Sequence, residues 1–413
     1  MSVLKSTFLF IFFYTLVIPC KSQEKNRFIV GIIRDGNSNA PIPYANIYLK
    51  SDKYAGTVSN TDGRFKLLVA ATLNKDSLLI SFVGYKTTKI YIEESTFSQS
   101  MSIFLTELPV VLKDIQVLGT TPFTFLKLAA KKTTEKSISP TILNCYYREF
   151  ISKNGRFTKF ADALVDYFVE IREEKNPYVQ VRVMESRAKY VPVVIETKSM
   201  GDLNISQQVD IEMLPSFLDA QIRLNNIVQN GDDYNFDLYE VSDSVGNEFY
   251  KVSFAPKQEI KKRLLEGIFF IDKSSSVIRS VQYNLPDSHK PYSKIFKLPF
   301  GMRNQLTAAT VYIQYHMIGE KCQLKYVKSS ISLHVFDKKD FDVTHVFSNE
   351  MLVNDFEEGN IKKFESNELW RKKSIYKRGN NYKSKFWEGK RGLLATEEEQ
   401  KIIESLSSNN SSN

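Results

Sequence analysis

Between Arg27 and Glu107 the chain breaks into short runs of β-branched and aromatic residues, each closed by a turn signal. Arg27–Arg34 (RFIVGIIR) stops at Asp35-Gly36-Asn37-Ser38-Asn39, and Tyr44–Lys50 (YANIYLK) alternates with the period of two of a half-buried strand. Thr57–Ser59 leads into the turn Asn60-Thr61-Asp62-Gly63, followed by Arg64–Val69 (RFKLLV), Ser77–Val83, Thr87–Ile92 and Ser100–Leu105. A pattern interrupted this often leaves no room for helices and predicts a small sandwich. Composition points the same way, since 29 Phe and 21 Tyr against 17 Gly favour strands. With 413 residues the chain exceeds one compact core, so further domains must follow.

Four separated motifs make the sandwich specific: Gly31-Ile32-Ile33-Arg34-Asp35, Pro41-Ile42-Pro43-Tyr44-Ala45-Asn46-Ile47, Gly56 to Phe65, and Ser81-Phe82-Val83-Gly84-Tyr85. In this order they resemble the carboxypeptidase-regulatory-like domain over residues 27–107. The resemblance implies a transthyretin-like sandwich of the kind found in secreted Bacteroidetes proteins and at the front of TonB-dependent receptors. It implies no peptidase activity, because the family is a non-catalytic appendage of carboxypeptidases. Physically, Asp62-Gly63 is expected to supply the positive φ of a tight hairpin. Gly56-Thr57 is expected to let the chain bend onto the neighbouring sheet, and Phe65 and Tyr85 to fill the core as inward wedges.

The N-terminus has the build of a secretory signal peptide. Lys5 precedes an apolar run, Phe8–Pro19 (FLFIFFYTLVIP), and Cys20 and Ser22 are the small residues before a cut at Gln23. The run, of about 12 residues, falls short of the ~20 that span hydrocarbon. Lipidation at Cys20 is disfavoured by Pro19 directly before it. Cleavage after Ser22 leaves Cys145 and Cys322, which either pair in an oxidising compartment or stay as two buried thiols.

Beyond the sandwich, Leu112–Leu118 resembles the extra strand that leads out of such domains. Phe125, Leu128 and Ala129 have the i, i+3, i+4 spacing of an amphipathic helix ending before Pro140. From Tyr146 to about residue 350 strands dominate, with Glu266–Ile271 and Val277–Ser280 as the clearest hairpin. That hairpin resembles those of LolA-like half-barrels, which grip lipids in the periplasm. A short helix is expected within Gly201–Leu224. The tract Trp370–Arg378 (WRKKSIYKR) reads as a solvated segment whose aromatics plug a domain edge, with a surface-binding patch as the alternative. Thr396-Glu397-Glu398-Glu399 opens a C-terminal helix with Ile402, Ile403 and Leu406 as its buried stripe. The expected divisions are a signal peptide (1–22), the sandwich (27–107), a linker strand and helix (108–140), an antiparallel β-rich domain (141–355), a charged segment with helix (356–406) and a disordered tail (407–413). The fold class is therefore mainly β.

No catalytic, cofactor-binding or metal residue is assigned. Gly-x-Ser-x-Gly, Walker and Cys-x-x-Cys patterns are absent from the sequence. The four His, at 289, 316, 334 and 345, include none three residues before a Glu, as a zinc carboxypeptidase needs. His316 and Glu320 would share a face on one strand but lack a further ligand. Arg148 and Glu149, adjacent on a strand, should point to opposite faces, each suited to an ion pair with a neighbouring strand. Asn204-Ile205-Ser206 fits a glycosylation sequon that means little in a bacterial setting. A net charge of +9 is diffuse and gives no nucleic-acid stripe. The expectation is a non-catalytic protein of the cell envelope, periplasmic or outer-membrane-associated, binding a protein, peptide, glycan or lipid partner without a cofactor. A secreted hydrolase acting on peptide or glycan is the alternative.

Overall fold

The computed structural model describes residues 27–52, 56–70, 75–108, 110–111, 120–172, 177–190, 227, 231–242, 248–338, 341–371, 375 and 392–408. The expected signal peptide, the strand at Leu112–Leu118, the helix within Gly201–Leu224 and the sequon at Asn204 lie outside these residues.

The sandwich has seven strands: β1 (Arg27–Asp35), β2 (Asn46–Leu49), β3 (Gly56–Val58), β4 (Arg64–Val69), β5 (Ser77–Ser81), β6 (Thr88–Tyr91) and β7 (Met101–Leu105). They form a three-stranded sheet, β4-β1-β7, and a four-stranded sheet, β3-β2-β5-β6. Alternation drives the packing. Phe65, Leu67 and Val69 of β4 and Ile29 and Ile33 of β1 turn inward against Ile47, Leu78 and Ile80 of the other sheet. Phe65 lies opposite Gly31, where a Cβ would stand 2.7 Å from its ring, so the glycine makes room for the wedge. Tyr85 packs against this core from its edge, half-buried beside Phe82 and bonded to Asp35, with burial and then Asp35 pushing its hydroxyl up to about 12.

One glycine expectation is corrected. Gly63 does have a positive φ of 73°, but its turn joins β3 and β4 of different sheets rather than a hairpin within one. Gly56 opens β3, where a Cβ would stand 3.0 Å from the Ile47 carbonyl of β2.

The large sheet has twelve strands. In chain order these are β8 (Val110–Val111), β9 (Thr141–Lys153), β10 (Arg156–Glu170), β11 (Tyr178–Tyr190), β12 (Tyr234–Ser242), β13 (Glu248–Pro256), β14 (Glu266–Asp272), β15 (Ile278–Asn284), β16 (Ile295–Lys297), β17 (Arg303–Ile318), β18 (Lys321–Phe336) and β19 (Asp342–Glu357). Spatially they run β11-β10-β9-β19-β18-β17-β15-β14-β13-β12-β8, with β16 beside β17. The last strand thus returns to pair with β9, near the first.

Helix α1 (Pro122–Lys136) is capped by Thr121 and packs Phe125, Leu126, Ala129 and Ala130 onto one face of this sheet. It touches β12 through Phe123 and Phe236 (5.1 Å) and β18 through Thr133 and Cys322. A 15-residue helix is about 22 Å long, against ~24 Å for five strand spacings, so α1 lies across the strands from β12 to β18. Cys145 and Cys322 are free buried thiols on β9 and β18, with β19 between those strands. Burial raises the pKa of both.

The C-terminal helix α2 (Glu397–Ser408) begins with a reciprocal Thr396–Glu399 capping box and runs past residue 406, so Ser407 and Ser408 belong to the helix and not to the tail. Ile403 packs beside Phe150 and Phe160. Trp370 packs against the main core and its backbone N–H donates to Val181, which fits an edge plug; most of the Trp370–Arg378 tract lies outside the described residues.

At Gly63 an added Cβ would collide with the Ile33 carbonyl oxygen, in a backbone conformation that L residues rarely adopt. Gly63→Ala should therefore lower stability by more than ~1 kcal/mol, measured as a shift in the urea midpoint at unchanged slope.

Candidate functional site

The face of the large sheet opposite α1 carries charge where a core would be apolar. Register places Arg187 of β11 opposite Asp162 of β10, Asp162 opposite Arg148 of β9, Arg148 opposite Glu350 of β19, and Glu350 opposite Lys328 of β18. Tyr312 of β17 continues the row. The result is a line of alternating charge across five strands. Its centre is deeply buried: Arg148 is 2% exposed, Glu350 4% and Asp162 not at all.

Each carboxylate is fully engaged. Glu350 accepts from Arg148 Nε at 2.8 Å, from a second Arg148 nitrogen, and from the Tyr326 hydroxyl at 2.6 Å. Asp162 accepts from Arg187 Nε at 2.9 Å, again from its Nη2, and from the Tyr146 hydroxyl at 3.1 Å. Burial works to raise the Glu350 carboxyl, but Arg148 and Lys328 outweigh it and hold the group well below the usual carboxylate range. At Asp162 burial wins and the pKa rises despite Arg187. The expectation that Arg148 pairs with a neighbouring strand is met at Glu350. Asp162, Arg187, Glu350 and Lys328 were not singled out by the sequence. The available signal was a lone charge inside an apolar run, as in Phe160-Ala161-Asp162-Ala163-Leu164.

The sandwich and the C-terminus close over this row. Tyr44 stacks on Tyr312 with centroids 4.7 Å apart, and Lys328 sits 5.7 Å from the Tyr44 ring. Arg148 Nη1 donates to the Leu393 carbonyl at 3.3 Å, and Glu399 of α2 stands 3.4 Å from Nη2. Asn60 and Asp62 of the sandwich bond the backbone at Leu394 and Glu397. Between the three parts lies a cavity of about 410 Å³, within the range of small-ligand sites. Its floor is Tyr146, Arg148, Asp162 and Arg187, its opposite wall includes Phe28, Lys66 and Leu68 of the sandwich, and its end is Gly392–Ala395 with Gln400 and Ile403.

The histidines are scattered. His289 is buried with Nε2 3.0 Å from the Ile260 carbonyl, His316 lies edge-on to Tyr48, and His334 contacts Asp342 at 2.9 Å. His345 is lowered to about 4 by burial, Lys153 and Lys159. His316 and Glu320 do not share a strand, since β17 ends at Ile318. Among the described residues no group of three or more His, Cys, Asp or Glu is placed to hold a metal ion.

On the other face, Glu149 accepts from the Tyr147 hydroxyl at 2.5 Å, and among the described residues no guanidinium pairs with it. Burial pushes this carboxyl up to about 7.

A transthyretin-like sandwich joined to a broad antiparallel sheet defines the class of protein. Residues 29–117 match the CarboxypepD_reg-like domain, and the N-terminal sandwich is a member of that family. No curated protein sequence matches the chain. Among solved structures it is similar to a DUF1329 family protein from Desulfovibrio piger (11% identity, TM-score 0.26, covering 61% of this chain and 100% of that one). It is also similar to a LolA superfamily protein from Nitrosomonas europaea (11%, 0.22, 57% and 94%) and to lipovitellin (11%, 0.24, 56% and 27%). At such TM-scores these likenesses carry no inference about ligands.

Removing one member of the buried pair strands the other. Arg148→Met should cost ~3–5 kcal/mol in denaturant unfolding, and Arg148→Met/Glu350→Met together should recover at least half of that. For Glu149 the sign is opposite to that of an ion-paired acid. Its folded pKa of about 7 exceeds the ordinary 4.5, so the folded state holds the extra proton and stability falls as pH rises between those values. Glu149→Gln should match the wild type below pH 4.5 and exceed it by up to ~3 kcal/mol above pH 7, in urea melts across that range.

Proposed function

We propose that the chain is an exported cell-envelope protein that binds a ligand or partner without transforming it, at the cleft between sandwich, sheet and C-terminal strap. The observation that carries this reading is the cavity of about 410 Å³ lined from all three parts. Arg148 and Arg187 in its floor are already paired with Glu350 and Asp162, and the exposed Lys66 on its wall favours a ligand bearing a carboxylate, such as a peptide or an acidic glycan. Hydrolysis is disfavoured because a general acid or base needs a carboxyl free to exchange protons, and Asp162 is held by two Arg187 nitrogens and a tyrosine hydroxyl. The signal-peptide build of the first 22 residues supports export, and among the described residues no helix is long and apolar enough to cross a membrane. The sandwich acts in this reading as the docking module and residues 141–355 as the binding body.

Lys66 is exposed at the cavity wall, with its ammonium 4.0 Å over the Phe28 ring. Lys66→Glu should weaken binding of carboxylate-bearing peptides or glycans about tenfold or more in calorimetry, with stability unchanged. Crosslinking and pull-down from intact envelopes should recover a partner. Purified protein that cleaves a peptide or glycan library while no partner is recovered would overturn the proposal.

A further inference from the structure

The connection between β15 and β17 carries an apolar tip set among basic side chains. Tyr292, Ile295 and Phe296 are 38%, 51% and 55% exposed, three of the exposed large hydrophobics of the described residues within five positions. Around them, Lys290, Lys294, Lys297 and Arg303 stand against one acidic residue of the same stretch, Asp287, which pairs with Lys290 at 2.5 Å.

The tip is held rigidly. Leu285, His289 and Met302 are buried at its base. Gln305 Nε2 donates to the Ser293 carbonyl at 3.0 Å, and the Leu298 N–H donates to Met302 at 2.8 Å. Strand β16 pairs with Arg303–Gln305 of β17, and all three of its residues are exposed. The body of the protein therefore pushes these aromatic and aliphatic groups outward by its own hydrogen bonding.

We propose that this tip is a membrane-contact element that enters the interface of an anionic lipid surface edge-on, with Tyr292 and, on the two exposed faces of β16, Ile295 and Phe296 at the acyl boundary and the lysines at the headgroups. The chemistry selects the partner. Exposed aromatic and aliphatic groups gain by leaving water, while the surrounding ammonium groups require negative charge within a Debye length. A protein partner fits less well, because a stable protein interface takes ~800 Å² from each side and three exposed apolar side chains supply far less. A lipid surface needs no complementary shape and accommodates Lys and aromatic groups at the same depth. This inference is independent of the cleft.

The test is vesicle flotation of the full-length protein with phosphatidylcholine vesicles, with and without an equal part of phosphatidylglycerol. The Phe8–Pro19 run partitions into vesicles in an unprocessed chain, so the decisive readout is local. Phe296→Trp should add emission that shifts to the blue and is quenched by brominated lipid only on anionic vesicles. Ile295→Ser/Phe296→Ser should weaken the anionic-lipid component more than about tenfold, and Lys294→Glu/Lys297→Glu about twentyfold or more. Both pairs are exposed, and an unchanged near-UV circular dichroism spectrum confirms the fold. Unshifted emission from the Phe296→Trp variant, equal binding to neutral vesicles, or unchanged affinity in both double variants overturns the proposal. So does self-association lost in the serine variant while vesicles go unbound, which would make the tip a contact between copies of the chain.

Discussion

Arg148 is the point on which the large sheet and its junction with the sandwich both depend. Its guanidinium is buried, and a buried charge is tolerable only where partners replace the lost water. Glu350 supplies that replacement from the neighbouring strand, with the Leu393 carbonyl and Glu399 above. Because side chains alternate across a strand, a slip of β9 by one residue would carry Arg148 to the apolar face beneath α1 and bring Glu149 to the charged row. The ion row therefore penalises every neighbouring register, a useful constraint in a sheet whose strands reach 16 residues.

That constraint extends to the sandwich. Tyr44 reaches out from residues just before β2 to stack on Tyr312, and the strap from Gly392 to α2 binds the sandwich turn at Asn60 and Asp62 as well as Arg148. Exposed contacts such as Arg64–Glu397 add little by themselves. The junction is held by aromatic stacking and side-chain-to-backbone hydrogen bonds around a buried charge, leaving the cavity where the three surfaces do not quite meet.

Much of this fold was legible locally. The run RFKLLV becomes β4 with its alternation intact, Thr121 and Thr396 cap helices, and the opposite facing of Arg148 and Glu149 follows from strand geometry alone. Strands β17 and β19 were harder. In RNQLTAATVYIQYHMI small and polar residues interrupt the alternation, because that strand faces different neighbours along its length. The site was hidden for another reason. Glu350 lies 202 residues from Arg148, and Leu393 lies 245 away. Such partners are fixed by which strands become neighbours, and no local pattern encodes that β19 returns to β9.

Glu149 and Glu350 show how far topology, rather than residue type, decides chemistry here. Both are buried glutamates, on adjacent strands of the same sheet, and burial acts to raise the pKa of each. Glu350 shares its face with Arg148 and Lys328, so their charges overcome burial and it stays ionised. Glu149 faces the other way, where the Tyr147 hydroxyl and the Lys159 charge are too little to offset burial. The sheet thus keeps one face ionic and lets the other hold a carboxyl near neutrality. The same separation places the polar cleft on the sandwich side while α1 packs on the opposite side.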